Sequence, residues 1–165
     1  MPKTELELRP VDFITVGTIG PKGQRTFHLQ AGSDNQIVSF IIEKEQAWAL
    51  ASAIEEFLDD LDERENTETS VEMAALDMDL REPIRPIFRV AQMGLAYDEE
   101  ERSVVLVAQE FTGEEVDPDD DEAAGVVRMW CTREQMRALS MQAMDMVESG
   151  RPSPKQNGRI LYYWT

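Results

Sequence analysis

Apolar and polar residues alternate with period two over 11–19, 24–31 and 36–42, then switch to three- and four-residue steps over 44–62. After a polar stretch the same succession returns, with strands over 87–97, 102–111 and 125–131 and a helix over 133–148. The predicted order is βββα, twice. Ala47, Leu50, Ile54, Phe57 and Leu58 form one helical stripe, and Met136, Leu139, Ala143, Met146 and Val147 form its counterpart. Thr132-Arg133-Glu134-Gln135 has the form of a capping box and Glu43-Lys44-Glu45-Gln46 a weaker version of it. Gly20-Pro21-Lys22-Gly23 supplies turn residues for the first hairpin, and Tyr97 to Glu101 fills the same place in the second with charge.

The halves also share residues. At an offset of 77, Gly17 meets Gly94, Arg25 meets Arg102, Leu29 meets Leu106 and Ala31 meets Ala108; at an offset of 89, Glu45-Gln46 meets Glu134-Gln135 and Ala49-Leu50 meets Ala138-Leu139. These identities imply an internal duplication. Three strands under one helix leave a face uncovered, so the expected fold is α+β: two βββα repeats forming a pseudo-two-fold antiparallel sheet with two helices packed on one face. Strand 36–42 is apolar at Ile37, Val38, Phe40, Ile41 and Ile42, which predicts a second cover, either a partner subunit or the 64–86 segment.

Composition adds a constraint. With 165 residues, 42% of them apolar, the chain suits one domain over 1–165, with repeats at about 11–62 and 87–148, an acidic connector at 63–86, an acidic loop at 113–123 and a tail at 149–165. Its formal charge of −17 is uneven: −11 sits in 43–82 and −7 in 113–123, while 1–42 is neutral and 124–165 carries +3. Both acidic stretches read as solvated connectors, and the loop, with Pro118 near its middle and no central glycine, does not fit a calcium loop. A like-signed field argues against nucleic acid and anionic membranes as partners. No apolar run approaches the roughly 18 residues of a spanning helix and the N-terminus has no apolar leader, so a cytoplasmic location is expected. One cysteine (Cys131) and one histidine (His28) exclude an intrachain disulfide and a Cys/His zinc site; no metal or cofactor is expected.

The stretch carrying Phe13, Gly17-Thr18, Gly20, Gly23, Arg25, Phe27 and Leu29-Gln30-Ala31 resembles the opening of a bacterial family of unknown function. Glu43 to Gln46, Phe88-Arg89-Val90, Ala96-Tyr97, Gly150-Arg151-Pro152 and Asn157-Gly158 are also similar. The resemblance implies a small cytoplasmic protein without an assigned activity, often encoded near a histidine-phosphatase-like and a lipid-kinase-like protein. Many members carry a zinc-ribbon-like knuckle between the last two elements. Here Ser153-Pro154-Lys155-Gln156 joins them with no ligand, so zinc binding is not carried over.

No catalytic constellation emerges. His28 alternates away from Phe27 and Leu29 and reads as a surface or cross-strand residue, and Cys131 as a small buried apolar group. Asp59/Asp60 and Asp119/Asp120 read as solvated acids rather than a facing carboxylate pair. Met129, Met136, Met141, Met144 and Met146 read as core, with an adaptable binding face as the alternative. Lys22, Gln24 and Arg25, on a glycine-rich hairpin, are the candidates for binding an anion, and Tyr162, Tyr163 and Trp164 in the apolar tail are candidates for an interaction surface. The leading expectation is a non-catalytic protein-interaction or adaptor domain that binds a protein partner or forms a homodimer. A binding module for a phosphorylated small molecule or nucleotide is the alternative, and an acidic DNA mimic is a weaker one.

Overall fold

A computed structural model of the chain describes residues 5–21, 23–70, 76–112 and 124–149. The fold is α+β, with one seven-stranded sheet and two helices. In chain order the elements are β1 (Glu5–Leu8), β2 (Phe13–Ile19), β3 (Thr26–Ser33), β4 (Gln36–Ile42), α1 (Lys44–Glu65), β5 (Pro86–Asp98), β6 (Ser103–Glu110), β7 (Val126–Cys131) and α2 (Arg133–Ser149).

Antiparallel pairing joins β2–β3–β4 and β5–β6–β7. At the β2–β3 turn Gly20 and Gly23 adopt positive φ and the Gln24 amide donates to the Pro21 carbonyl at 2.9 Å. At the β3–β4 turn Asp34 and Asn35 both have positive φ, the tight-turn geometry that short polar side chains tolerate. The sheet as a whole is mixed rather than antiparallel. Between β4 and β5 the chain crosses through α1 and returns in its original direction, so these two strands pair in parallel.

A seventh strand, absent from the periodicity reading, decides the shape. Sheet order is β1-β7-β6-β5-β4-β3-β2, so the two outermost strands are neighbours in sequence, joined by residues 9–12 alone. Laid flat, seven strands would hold their edges about 29 Å apart at the usual spacing of about 4.8 Å. A link of that length spans at most about 18 Å fully extended. The sheet therefore rolls until its edges approach. The Val11 amide donates to the Trp130 carbonyl at 2.9 Å and the Asp12 amide to the Gly32 carbonyl at 2.7 Å, so the link touches both edges in turn. Arg9 lies over the Trp130 ring and pairs with Glu101 at 3.3 Å, which fastens the link from outside.

Inward-facing residues of all strands from β2 to β7 join the buried stripes of both helices in one core that includes Phe40, Leu106, Met129, Leu58 and Leu139. The helices run antiparallel. Near the start of α2, Arg133 pairs with Asp62 at 3.2 Å and with Glu65, and Arg137 reaches Glu55, Asp59 and Asp62 on α1. Two glutamines bind the helix starts to the sheet in matching ways. Gln46 accepts from the Glu43 amide at 2.7 Å and donates to the Val90 carbonyl at 3.0 Å; Gln135 accepts from the Thr132 amide at 2.8 Å and donates to the Val11 carbonyl at 3.4 Å.

The acidic connector is not a solvated spacer throughout. Residues 76–81 lie across the outer face of β2 and β3 as a strap. The Thr15 hydroxyl donates to the Met78 carbonyl at 2.5 Å. Gln30, fully buried, grips one strap residue at both ends of its backbone: its Oε1 accepts from the Arg81 amide at 2.7 Å and its Nε2 donates to the Arg81 carbonyl at 2.8 Å. The Arg81 guanidinium lies 3.5 Å over the Phe13 ring, and Leu80 sits where a Cβ on Gly17 would have to go. Replacing Gln30 by Ala is expected to cost about 2–4 kcal/mol in denaturant unfolding, because two backbone groups and Ser39 lose a buried partner. The exposed Gln92→Ala variant is expected to stay within about 0.5 kcal/mol of the wild type.

Candidate functional site

β5 pairs with β6 from Val90 to Asp98 and with β4 only between Pro86 and Arg89. Beyond that point, among the described residues, no strand flanks its far edge. Where β4 gives way to α1, Gln46 secures the Val90 carbonyl, and α1 then stands off from the strand. A groove of about 560 Å³ opens between them. Its floor is apolar, with Leu50 and Phe57 from α1, Met93 and Leu95 from β5 and Leu106 from β6, while Glu56 and Asp60 border it with negative charge. An unpaired edge beside an apolar groove is the geometry that accepts an added strand.

The corresponding place in the other half is closed. There α2 packs along β2, and Gln142 donates to the Val16 carbonyl at 3.3 Å, capping the open edge. At the offset of 89 residues, the position matching Gln142 is Ala53, which has no donor to offer. Ala138 is fully buried on α2, and its counterpart Ala49 is exposed on α1. Gly17 is covered by Leu80, whereas a Cβ added to Gly94 meets open space. Aligned positions are thus buried in one half and open in the other.

Arg25 lines a separate cavity of about 440 Å³ with Lys44 and Arg89 at the start of α1. Glu43 and Glu45 line it too, and Arg89 pairs with Glu43 at 2.7 Å, so its charge is mixed. Gln24 is exposed in the hairpin turn and is not among the residues lining that cavity. Lys22, the acidic loop 113–123, and the tail with Tyr162, Tyr163 and Trp164 lie outside the described residues. Asp59 and Asp62 serve the helix–helix ion network. Burial works against ionising Asp62, but hydrogen bonds from Thr69 and Thr67 and the Arg137 charge hold its carboxyl below the usual range. Met129 and Met136 are core, Met144 and Met146 pack partly buried against it, and Met141 is exposed. Cys131 is buried, which pushes its thiol pKa far up. No group of three or more metal-ligating side chains is placed to hold an ion among the described residues, and no described helix is long and apolar enough to cross a membrane.

The sequence profile of a family described as "Protein of unknown function (DUF3090)" matches residues 6–159, nearly the whole chain. The chain belongs to the DUF3090 family. No curated protein and no solved structure matches it.

His28 is a cross-strand residue, opposite Gly17 on β2 and Ile41 on β4. It faces away from Phe27 and Leu29, but it is buried rather than on the surface, because the strap lies over the face it shares with Gly17 and Gln30. Its Nδ1 has no hydrogen-bond partner among the described residues, and burial lowers its pKa from the ordinary 6.5. A folded-state pKa below the unfolded one means that the neutral ring is favoured. The contribution of His28 is complete above the unfolded value and diminishes as pH falls below it. Between about pH 7 and pH 5, the unfolding midpoint of the wild type should fall more steeply than that of His28→Gln, measured by thermal melts across that range.

Proposed function

We propose that this DUF3090 protein is a non-catalytic protein-interaction or adaptor domain whose binding site is the groove between α1 and β5. The observation that carries the reading is the unpaired edge of β5, open beside an apolar floor where the other half is sealed by α2 and Gln142. Main-chain hydrogen bonds to such an edge supply affinity without regard to sequence, and the floor selects alternate side chains. Glu56 and Asp60 favour a ligand segment with lysine or arginine beside its apolar residues. We read the two halves as a duplicated βββα unit, supported by the matching bonds of Gln46 and Gln135. Duplication leaves one copy free to keep the fold closed while the other opens for binding. A cytoplasmic setting suits this reading.

Panning a displayed random-peptide library against the full-length protein should enrich apolar segments with flanking basic residues. Their affinity should drop at least about tenfold in Ala53→Phe, which fills the groove, and in Glu56→Lys/Asp60→Lys, which reverses its border. No enrichment, or enriched peptides indifferent to both variants, would sink the proposal.

A second reading places a phosphorylated small molecule or nucleotide at the first hairpin, favoured by the convergence of Arg25, Lys44 and Arg89 on one cavity. Nucleotides and sugar phosphates should then raise the melting temperature, and Arg25→Ala should remove the shift. Stabilisation that survives Arg25→Ala, or none at all, would exclude it.

A further inference from the structure

The groove and the end of α2 lie on opposite flanks of α1. Glu148, in the last turn of α2, shares an open trough with Ala51 and Ser52 of α1. Glu56 and Asp60 border both that trough and the groove, forming an acidic ridge between them. Residues 150–165 follow. By sequence they contain Arg151, Lys155 and Arg159, no acidic residue, and the apolar run Ile160-Leu161-Tyr162-Tyr163-Trp164. This is the composition the groove and its border select.

The lengths also agree. Along α1 the groove runs from Gln46 to Asp60, about 21 Å at about 1.5 Å per residue. Residues 160–165 as a strand would cover about 20 Å. Residues 150–159 can extend to about 33 Å, several times what is needed to pass over a helix about 10–12 Å across.

We propose that residues 160–165 occupy the groove of their own chain, lying along the unpaired edge of β5, with Arg151, Lys155 and Arg159 crossing the acidic ridge. This rests on the reading that the groove takes an extended segment, and it makes the tail a built-in competitor. A partner segment would bind only by displacing it, so partner affinity would be set by the difference between two similar strands.

The test uses the full-length chain with paired cysteines, Ala53→Cys with Tyr162→Cys, in a mild thiol–disulfide buffer. Cys131 is buried and does not interfere. An intrachain disulfide should form at least about tenfold faster than in the control pair Ile37→Cys with Tyr162→Cys, whose first site is exposed on β4. Adding Glu56→Lys/Asp60→Lys to the Ala53→Cys/Tyr162→Cys pair should slow closure several-fold at low salt and less at high salt. Equal rates in the two pairs would overturn the proposal, as would a disulfide formed between chains, which would make a second copy the occupant. Library peptides that bind through the groove while the two pairs close at equal rates would leave the binding reading standing and remove only the tail. A fast intrachain disulfide in a protein that enriches no groove-dependent peptide would keep the tail in the groove and remove the partner.

Discussion

The four-residue link between β1 and β2 is the constraint on which the rest of the molecule depends. A chain that places consecutive strands on opposite edges of a seven-stranded sheet must roll that sheet, and a rolled sheet has an inside. Both helices find their apolar partners there, which is why one continuous core serves the two halves. The glutamines at the helix starts follow from the same closure: each bonds to a carbonyl of the other half, Gln46 to Val90 and Gln135 to Val11.

Within that closed frame the halves divide labour. The first is covered on both sides, by the helices within and by the strap outside, and Gln30 holds the strap by its backbone, a grip that needs an amide N–H and so excludes proline at that strap position. In the second half, α1 stands off from β5 and the strand keeps an unshared edge. Exposed edges invite pairing with other chains, and proteins ordinarily blunt them. Here the blunting is electrostatic: Glu56 and Asp60 disfavour acidic segments and favour basic ones. The dense ion network of Arg133 and Arg137 superficially resembles a catalytic cluster, but its carboxylates all belong to α1 and Arg133 also donates to the Tyr97 hydroxyl of β5 at 3.1 Å, so its work is to fix the antiparallel helix pair against the sheet.

Periodicity located the helices and the strands of each half to within about three residues, because amphipathic spacing and turn chemistry are local properties. β4 matches its expected range of 36–42, and α1 begins at Lys44 as its cap pattern requires. β1 escaped notice because Glu5-Leu6-Glu7-Leu8 is too short an alternation to stand out, and because its partner begins at Val126. The strap escaped for a different reason. Leu76 to Glu82 reads as an acidic connector, and its contacts run largely through its own backbone, which composition does not reveal. The burial of His28 escaped with it, since alternation reports which face a residue takes and not what covers that face. The groove is legible only in retrospect, in the contrast of Ala53 with Gln142, because a missing contact leaves no period in a sequence.

Closure of the sheet also imposes an order on synthesis. In the order of synthesis β1 precedes its partner in the sheet by 121 positions, with Glu5 opposite Val126. Until then the nascent chain has two unfinished edges and no inside, and α1 can cover only part of its apolar stripe. Contacts between the two ends of a chain come at a high loop-closure cost and form late. The acidic residues that crowd the middle of the chain keep that long-lived open form charged and apart from its neighbours while it waits for β7.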